Sequence, residues 1–192
     1  MDHWKGLLRC IKYVITTEYL ALKLKPNTTE SFFRMDGISD SEYGADEETR
    51  ISVFGYEVYF CEALVAWKSK ASRSVTLSST EAEYVALSEV TKEIMFVKQV
   101  LETMGIMIKL PILVKVDNVG AIYLSNNFSL GQRTKHIDIR RHFVREFMED
   151  GILKTVFVRT NDNSADIYTK NTTEDIYEHH KKKNLQDIRT IN

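Results

Sequence analysis

Residues 80–104 constrain the fold more than any other part of the chain. Ser78-Ser79-Thr80-Glu81 is a capping-box pattern, in which Ser78 caps and Glu81 reaches back. Beyond it Leu87, Val90, Ile94, Val97 and Leu101 recur at alternating three- and four-residue steps. That spacing predicts a long helix with one apolar stripe, and such a stripe has to lie against a sheet or another helix. Extending the stripe one turn backward reaches Glu83, where an apolar neighbour tolerates a carboxylate only with a compensating cation or proton. An alternative box, with Thr80 as cap and Glu83 as its partner, leaves Glu83 in the exposed first turn instead.

What the helix packs on is read from runs rich in β-branched and aromatic residues at 31–40, 51–60, 64–68, 112–117 and 152–159. The first three follow one another through short polar connections, as an antiparallel meander does, and each of the last two is preceded by a helical stretch. The expected order is βββαβαβα, an α/β fold with a five-stranded mixed sheet flanked by helices. Ahead of it, Trp4, Leu7, Leu8, Ile11, Val14 and Ile15 predict a short helix and 19–24 a short strand, ended by Lys25-Pro26-Asn27-Thr28-Thr29. This divides the chain into an N-terminal extension over 1–28, a main domain over 29–170 and a polar tail over 171–192, expected to be loosely ordered.

Composition narrows the class further. A hydrophobic fraction of 43% with 28% charged residues describes a folded protein. No stretch reaches the length of a membrane-spanning helix, and the N-terminus lacks the layout of a secretory signal, so no membrane partner is expected and the protein is expected inside the cell. Cys10 and Cys61 are neither paired as zinc ligands nor dense enough for a disulfide scaffold. A net charge of −1 gives no global field for a polyanion, so nucleic-acid binding has to rest on local clusters.

Three acids sit where elements meet. Asp117 ends the apolar run 111–116, the position where open α/β sheets place ligands, although it would serve equally as the cap of the next helix. Asp40 ends the first strand in a segment that also holds Asp36, Glu42 and Asp46; Asp166 falls in the first turn of a closing helix. With Glu83 they suggest a hard-cation site built from dispersed positions, since acids brought that close repel unless metal ions neutralise them.

At this point the motifs resemble a known family. Trp67-Lys68-Ser69-Lys70 with Leu77-Ser78-Ser79-Thr80-Glu81-Ala82-Glu83-Tyr84, Gly37-Ile38-Ser39-Asp40-Ser41-Glu42-Tyr43, Val116-Asp117-Asn118, Thr134-Lys135-His136-Ile137-Asp138-Ile139-Arg140 and Ala165-Asp166-Ile167-Tyr168-Thr169-Lys170 resemble, in order, the RNase H domain of copia-type retrotransposon polyproteins. The segment from His3-Trp4-Lys5 to Thr16 resembles the connection from reverse transcriptase to RNase H. The resemblance implies an RNase H fold and cleavage of the RNA strand of RNA/DNA hybrids during reverse transcription. It makes Asp40, Glu83, Asp117 and Asp166 both catalytic residues and ligands of two Mg2+ (or Mn2+) ions. Asp36 is a rival for the first position, because other RNase H families carry an acid there. Lys68, Lys70, Arg73, Asn118, Arg133, Lys135 and Arg140 are the expected nucleic-acid contacts. The implied partners are the hybrid and the reverse transcriptase portion of the same polyprotein; the implied locations are cytoplasm, virus-like particles or nucleus. Glu42, Tyr43 and the lack of a histidine over 161–163 depart from the pattern and motivate a second reading, an inactive nucleic-acid-binding or polymerase-docking relic, although the intact acids favour the enzyme.

Overall fold

The computed structural model describes residues 2–24, 32–72, 75–126 and 135–190, without the side chains of residues 2, 135–138 and 141. A five-stranded sheet in the order β4-β3-β2-β5-β6 organises them. Its strands are β2 (Met35–Glu42), β3 (Val53–Phe60), β4 (Ala63–Ala71), β5 (Ile112–Val116) and β6 (Leu153–Phe157). β2, β3 and β4 pair antiparallel, whereas β5 runs parallel to β2 and β6 parallel to β5. This is the mixed sheet that the order of elements predicts, because strands joined through helices return in the same direction.

The predicted long helix is α2 (Ser79–Thr103). Ser78 caps it, its Oγ accepting from the Glu81 N–H at 3.1 Å, and the Glu81 carboxylate accepts from the Leu77 N–H at 2.8 Å. With that box formed, Glu83 is released from capping. Leu87, Val90 and Ile94 are wholly buried against the sheet, together with Tyr56, Val58, Ile112, Val114 and Val116. Each side chain of that size contributes about 1.5–3 kcal/mol by leaving water. α3 (Val119–Asn126) and α4 (Lys135–Glu149) complete this layer.

The opposite face carries far less apolar mass: Ile38, Tyr59, Leu64 and Ala165 form a small cluster, with Leu22 packed on it. Polar contacts hold this side. Glu57, wholly buried on β3, accepts from Tyr59 Oη (2.7 Å), Asn184 Nδ2 (2.8 Å), Tyr168 Oη (3.2 Å) and the Ser164 hydroxyl. Four donors satisfy the buried carboxylate and tie β3 to the segments that follow β6.

The structure moves several expected boundaries. The first strand begins at Met35 and runs on to Glu42, so Asp40 lies inside it and not at its end. The closing helix at Asp166 is a 3-10 helix, Ser164–Tyr168. The tail is ordered from 174: α5 (Glu174–Asn184) follows, then β7 (Leu185–Asp187), which pairs antiparallel with β1 (Leu20–Leu22). The N-terminal segment is α1 (Asp2–Thr16), with Trp4, Val14 and Ile15 exposed.

Candidate metal centre

Asp40, Glu83 and Asp117 come together although they lie on β2, α2 and the end of β5. One carboxylate oxygen from each lies within 4.8 Å of the others. Glu83 arrives because the apolar stripe of α2 faces the sheet and its first turn overhangs β2. There Glu83 Oε1 accepts from the Ser41 N–H at 3.2 Å, while Oε2 is buried with no hydrogen-bond partner. Asp117 sits at the carboxyl end of β5 and Asn118, one residue on, caps α3 by accepting from the Ala121 N–H at 2.9 Å. Asp117 is therefore free of the capping role, and its Oδ2 accepts from Thr160 Oγ1 at 3.1 Å. Asp36, the rival, is four residues back along β2, about 13 Å away at the rise of a strand, and lies outside this group.

Asp166 joins from the 3-10 helix, through Asp40. Lys170 Nζ donates to Asp40 Oδ1 at 3.1 Å and to Asp166 Oδ1 at 2.9 Å. The Thr169 hydroxyl donates to Asp40 Oδ2, and Asn163 Nδ2 lies 3.5 Å from Asp40 Oδ1. The 3-10 helix reaches this position because Gly55, the Cα partner of Asp40 on β3, has no side chain: a Cβ there would lie 2.6 Å from Tyr168 Cβ and 3.0 Å from Thr169 Cγ2.

The electrostatics follow from crowding and burial. Burial, then Asp40 and Asp117, push the Glu83 carboxyl up to about 8. Burial pushes Asp40 up to about 6, with Thr169 and Lys170 opposing and Asp166 adding to the rise. Asp117 is raised by burial and by Asp40. Burial works against the Lys170 ammonium, yet Asp40 and Asp166 more than offset it and raise its pKa. An all-oxygen donor set, short of positive charge and with one oxygen of Glu83 unpartnered, fits a hard divalent cation such as Mg2+.

The expected nucleic-acid contacts are more scattered. Lys68 and Lys70 lie on β4, two strands from β2, with Lys68 Nζ 5.9 Å from the Tyr56 ring centroid. Arg140 is engaged inside the protein, its Nη1 donating to Ser88 Oγ and to Glu89 Oε1, both at 2.7 Å. Arg73, Arg133 and the Lys135 side chain lie outside the described residues. Sequence reasoning assigned no role to Thr169, Lys170 or Asn163; the run Ala165-Asp166-Ile167-Tyr168-Thr169-Lys170 carried the signal for two of them.

Strand order, flanking helices and convergent acids define an RNase H fold. Among solved structures, LC11-RNase H1, crystallised in complex with an RNA/DNA hybrid, superposes with a TM-score of 0.53 over 71% of this chain and 94% of that one, at 12% identity. This likeness is one of fold. A stretch of 169 residues, 88% of the chain, is 36% identical to the retrovirus-related Pol polyprotein from transposon RE2 of Arabidopsis thaliana. It is 38% identical, over the same length, to the Pol polyprotein from transposon TNT 1-94 of Nicotiana tabacum. No protein-family model matches the chain. The chain is an RNase H-fold segment homologous to the Pol polyproteins of copia-type plant transposons, and it spans only 11–12% of the length of those two relatives.

Proposed function

We propose that the chain is a ribonuclease H that cuts the RNA strand of RNA/DNA hybrids during reverse transcription of a copia-type element. The observation that carries this reading is the convergence of Asp40, Glu83 and Asp117 with a buried, unpartnered oxygen on Glu83. Asp40, Glu83, Asp117 and Asp166 would hold two Mg2+ or Mn2+ ions. Bound there, such ions would supply Lewis-acid chemistry for activating a water and stabilising the leaving 3′ oxygen. The chain's own groups prepare that chemistry: α2 and β2 fix Glu83 and Asp40 before substrate arrives, and Thr160 and Thr169 orient Asp117 and Asp40 by hydrogen bonds. Lys68, Lys70 and Asn118 would meet the hybrid, with Arg73, Arg133 and Lys135 beside them; Arg140 would have to leave Glu89 to do so. The exposed apolar residues of α1, Trp4, Leu7, Ile11 and Val14, would face the reverse transcriptase portion of the polyprotein. No helix among the described residues is long and apolar enough to cross a membrane.

The test is incubation of the purified chain with a labelled RNA/DNA hybrid and Mg2+ or Mn2+, beside Asp117→Asn. Cleavage by the parent, reduced roughly a hundredfold or more in the variant, is expected, since preorganised charge in such sites is worth that much. Equal cutting by both proteins would show that the wrong acids have been assigned. Hybrid binding without cutting by either would favour the inactive relic, which the Glu42-Tyr43 departure also suggests.

A further inference from the structure

The four acids are not equally available to a cation. Between Asp40, Glu83 and Asp117 the ligand oxygens face one another with no basic side chain bonded to Glu83 or Asp117 among the described residues. Between Asp40 and Asp166 stands the ammonium of Lys170, 3.1 and 2.9 Å from one oxygen of each. An ion bound to those same oxygens would take them at about 2.1 Å, which leaves no room for Nζ.

The placement of Lys170 is specified by its surroundings. It lies four residues after Asp166, and its N–H donates to the Asp166 carbonyl at 2.9 Å, which puts its side chain back over the aspartate. Thr169, next to it, is hydrogen-bonded to Asp40 through its hydroxyl. The Lys170 side chain retains 33% of its exposure, while that of Asp40 is wholly buried. A flexible four-carbon stem with a route to solvent can withdraw; Asp40 cannot.

We infer that Lys170 is a positioning residue that holds the cation place shared by Asp40 and Asp166, so that the centre binds two divalent ions unequally. The first ion enters at Asp40, Glu83 and Asp117. The second enters at Asp40 and Asp166 only as Lys170 swings out to solvent, and the first ion, sharing Asp40, weakens the ammonium's hold by repulsion. This rests on the metal-dependent reading above and adds an order of occupancy to it.

Calorimetric titration of the whole chain with Mn2+ tests the inference without recourse to activity. The wild type should show a tighter and a weaker binding event. Lys170→Met should tighten the weaker one by roughly tenfold or more and leave the tighter one nearly unchanged, whereas Lys170→Arg should keep it weak. Asp117→Asn should remove the tighter event. In a parallel titration of the wild-type protein with diamagnetic Mg2+, the Cε resonance of Lys170, assigned by its loss in Lys170→Arg, should move during the second event, a reading that does not depend on how Lys170→Met folds. Superimposable isotherms for wild type and a folded Lys170→Met, or a Lys170 resonance indifferent to saturating Mg2+, would overturn the inference. Hybrid cleavage measured on the same preparations separates the two ideas: a protein that shows the Lys170 effect yet never cuts refutes the nuclease and leaves the inference standing. A wild type that binds no Mn2+ refutes both.

Discussion

At the scale of single residues, Glu83 is a carboxylate set into an apolar stripe, and its pKa turns that position into a dependence of stability on pH. Because its folded value is raised from 4.5 to about 8, the folded state holds the proton more tightly than the unfolded chain. The associated stability is full below pH 4.5 and is lost as the pH rises through about 8; Asp40 adds a similar loss between 3.8 and about 6. In a chelating buffer the melting temperature should therefore fall between pH 5 and 8, Glu83→Gln should flatten the fall, and Mg2+ should reverse it most strongly at the alkaline end. A slope unchanged in Glu83→Gln would remove Glu83 as its source. The register of α2 pointed to this residue but left a first-turn capping role open, and the Ser78–Glu81 box in the structure closes that alternative. Lys170 was opaque by comparison. It is 130 positions from Asp40, and no local spacing reveals a contact made through folding.

At the scale of elements, strands and long helices were legible because each carries its own periodicity, while the segment around Asp166 was not. A run as short as 164–168 has too few residues to distinguish an α-helix from a 3-10 helix, and what decides it here is contact with β3. Gly55 is the other half of that contact. In sequence it reads only as a weakness in a strand; in the fold its missing side chain admits Tyr168, Thr169 and the Ala165 carbonyl. Gly55→Ala should cost about 1–3 kcal/mol in chemical denaturation, since the clash is with a packed neighbour. It should also lower hybrid cleavage, by moving Asp166 and the Thr169 hydroxyl away from Asp40. Unchanged stability and cleavage would mean that the 3-10 helix tolerates the extra methyl by sliding. The ordered tail was missed for a related reason: Asn184, at the end of α5, is anchored by Glu57, a buried carboxylate on β3, and nothing in the polar run 174–184 announces it.

At the scale of the whole molecule the sheet is unevenly covered. One face carries the large core under α2, α3 and α4; the other is held by four buried residues of the small cluster and by the hydrogen bonds that converge on Glu57. Native-state hydrogen exchange should show amides of 164–170 and 174–184 opening at lower free energy than those of 84–94. Replacing Glu57 with leucine should widen the gap, because it strands the Ser164 hydroxyl and the Asn184 Nδ2 donor in the interior. Equal protection on the two faces would refute this. The unevenness matters for the acids, since Glu83 belongs to the well-covered layer and Asp166 to the thinly covered one. Opening of the thin side would draw Asp166 away from Asp40, Glu83 and Asp117 while the large core stays closed, so that keeping the fold and keeping the four acids together are two separate thresholds.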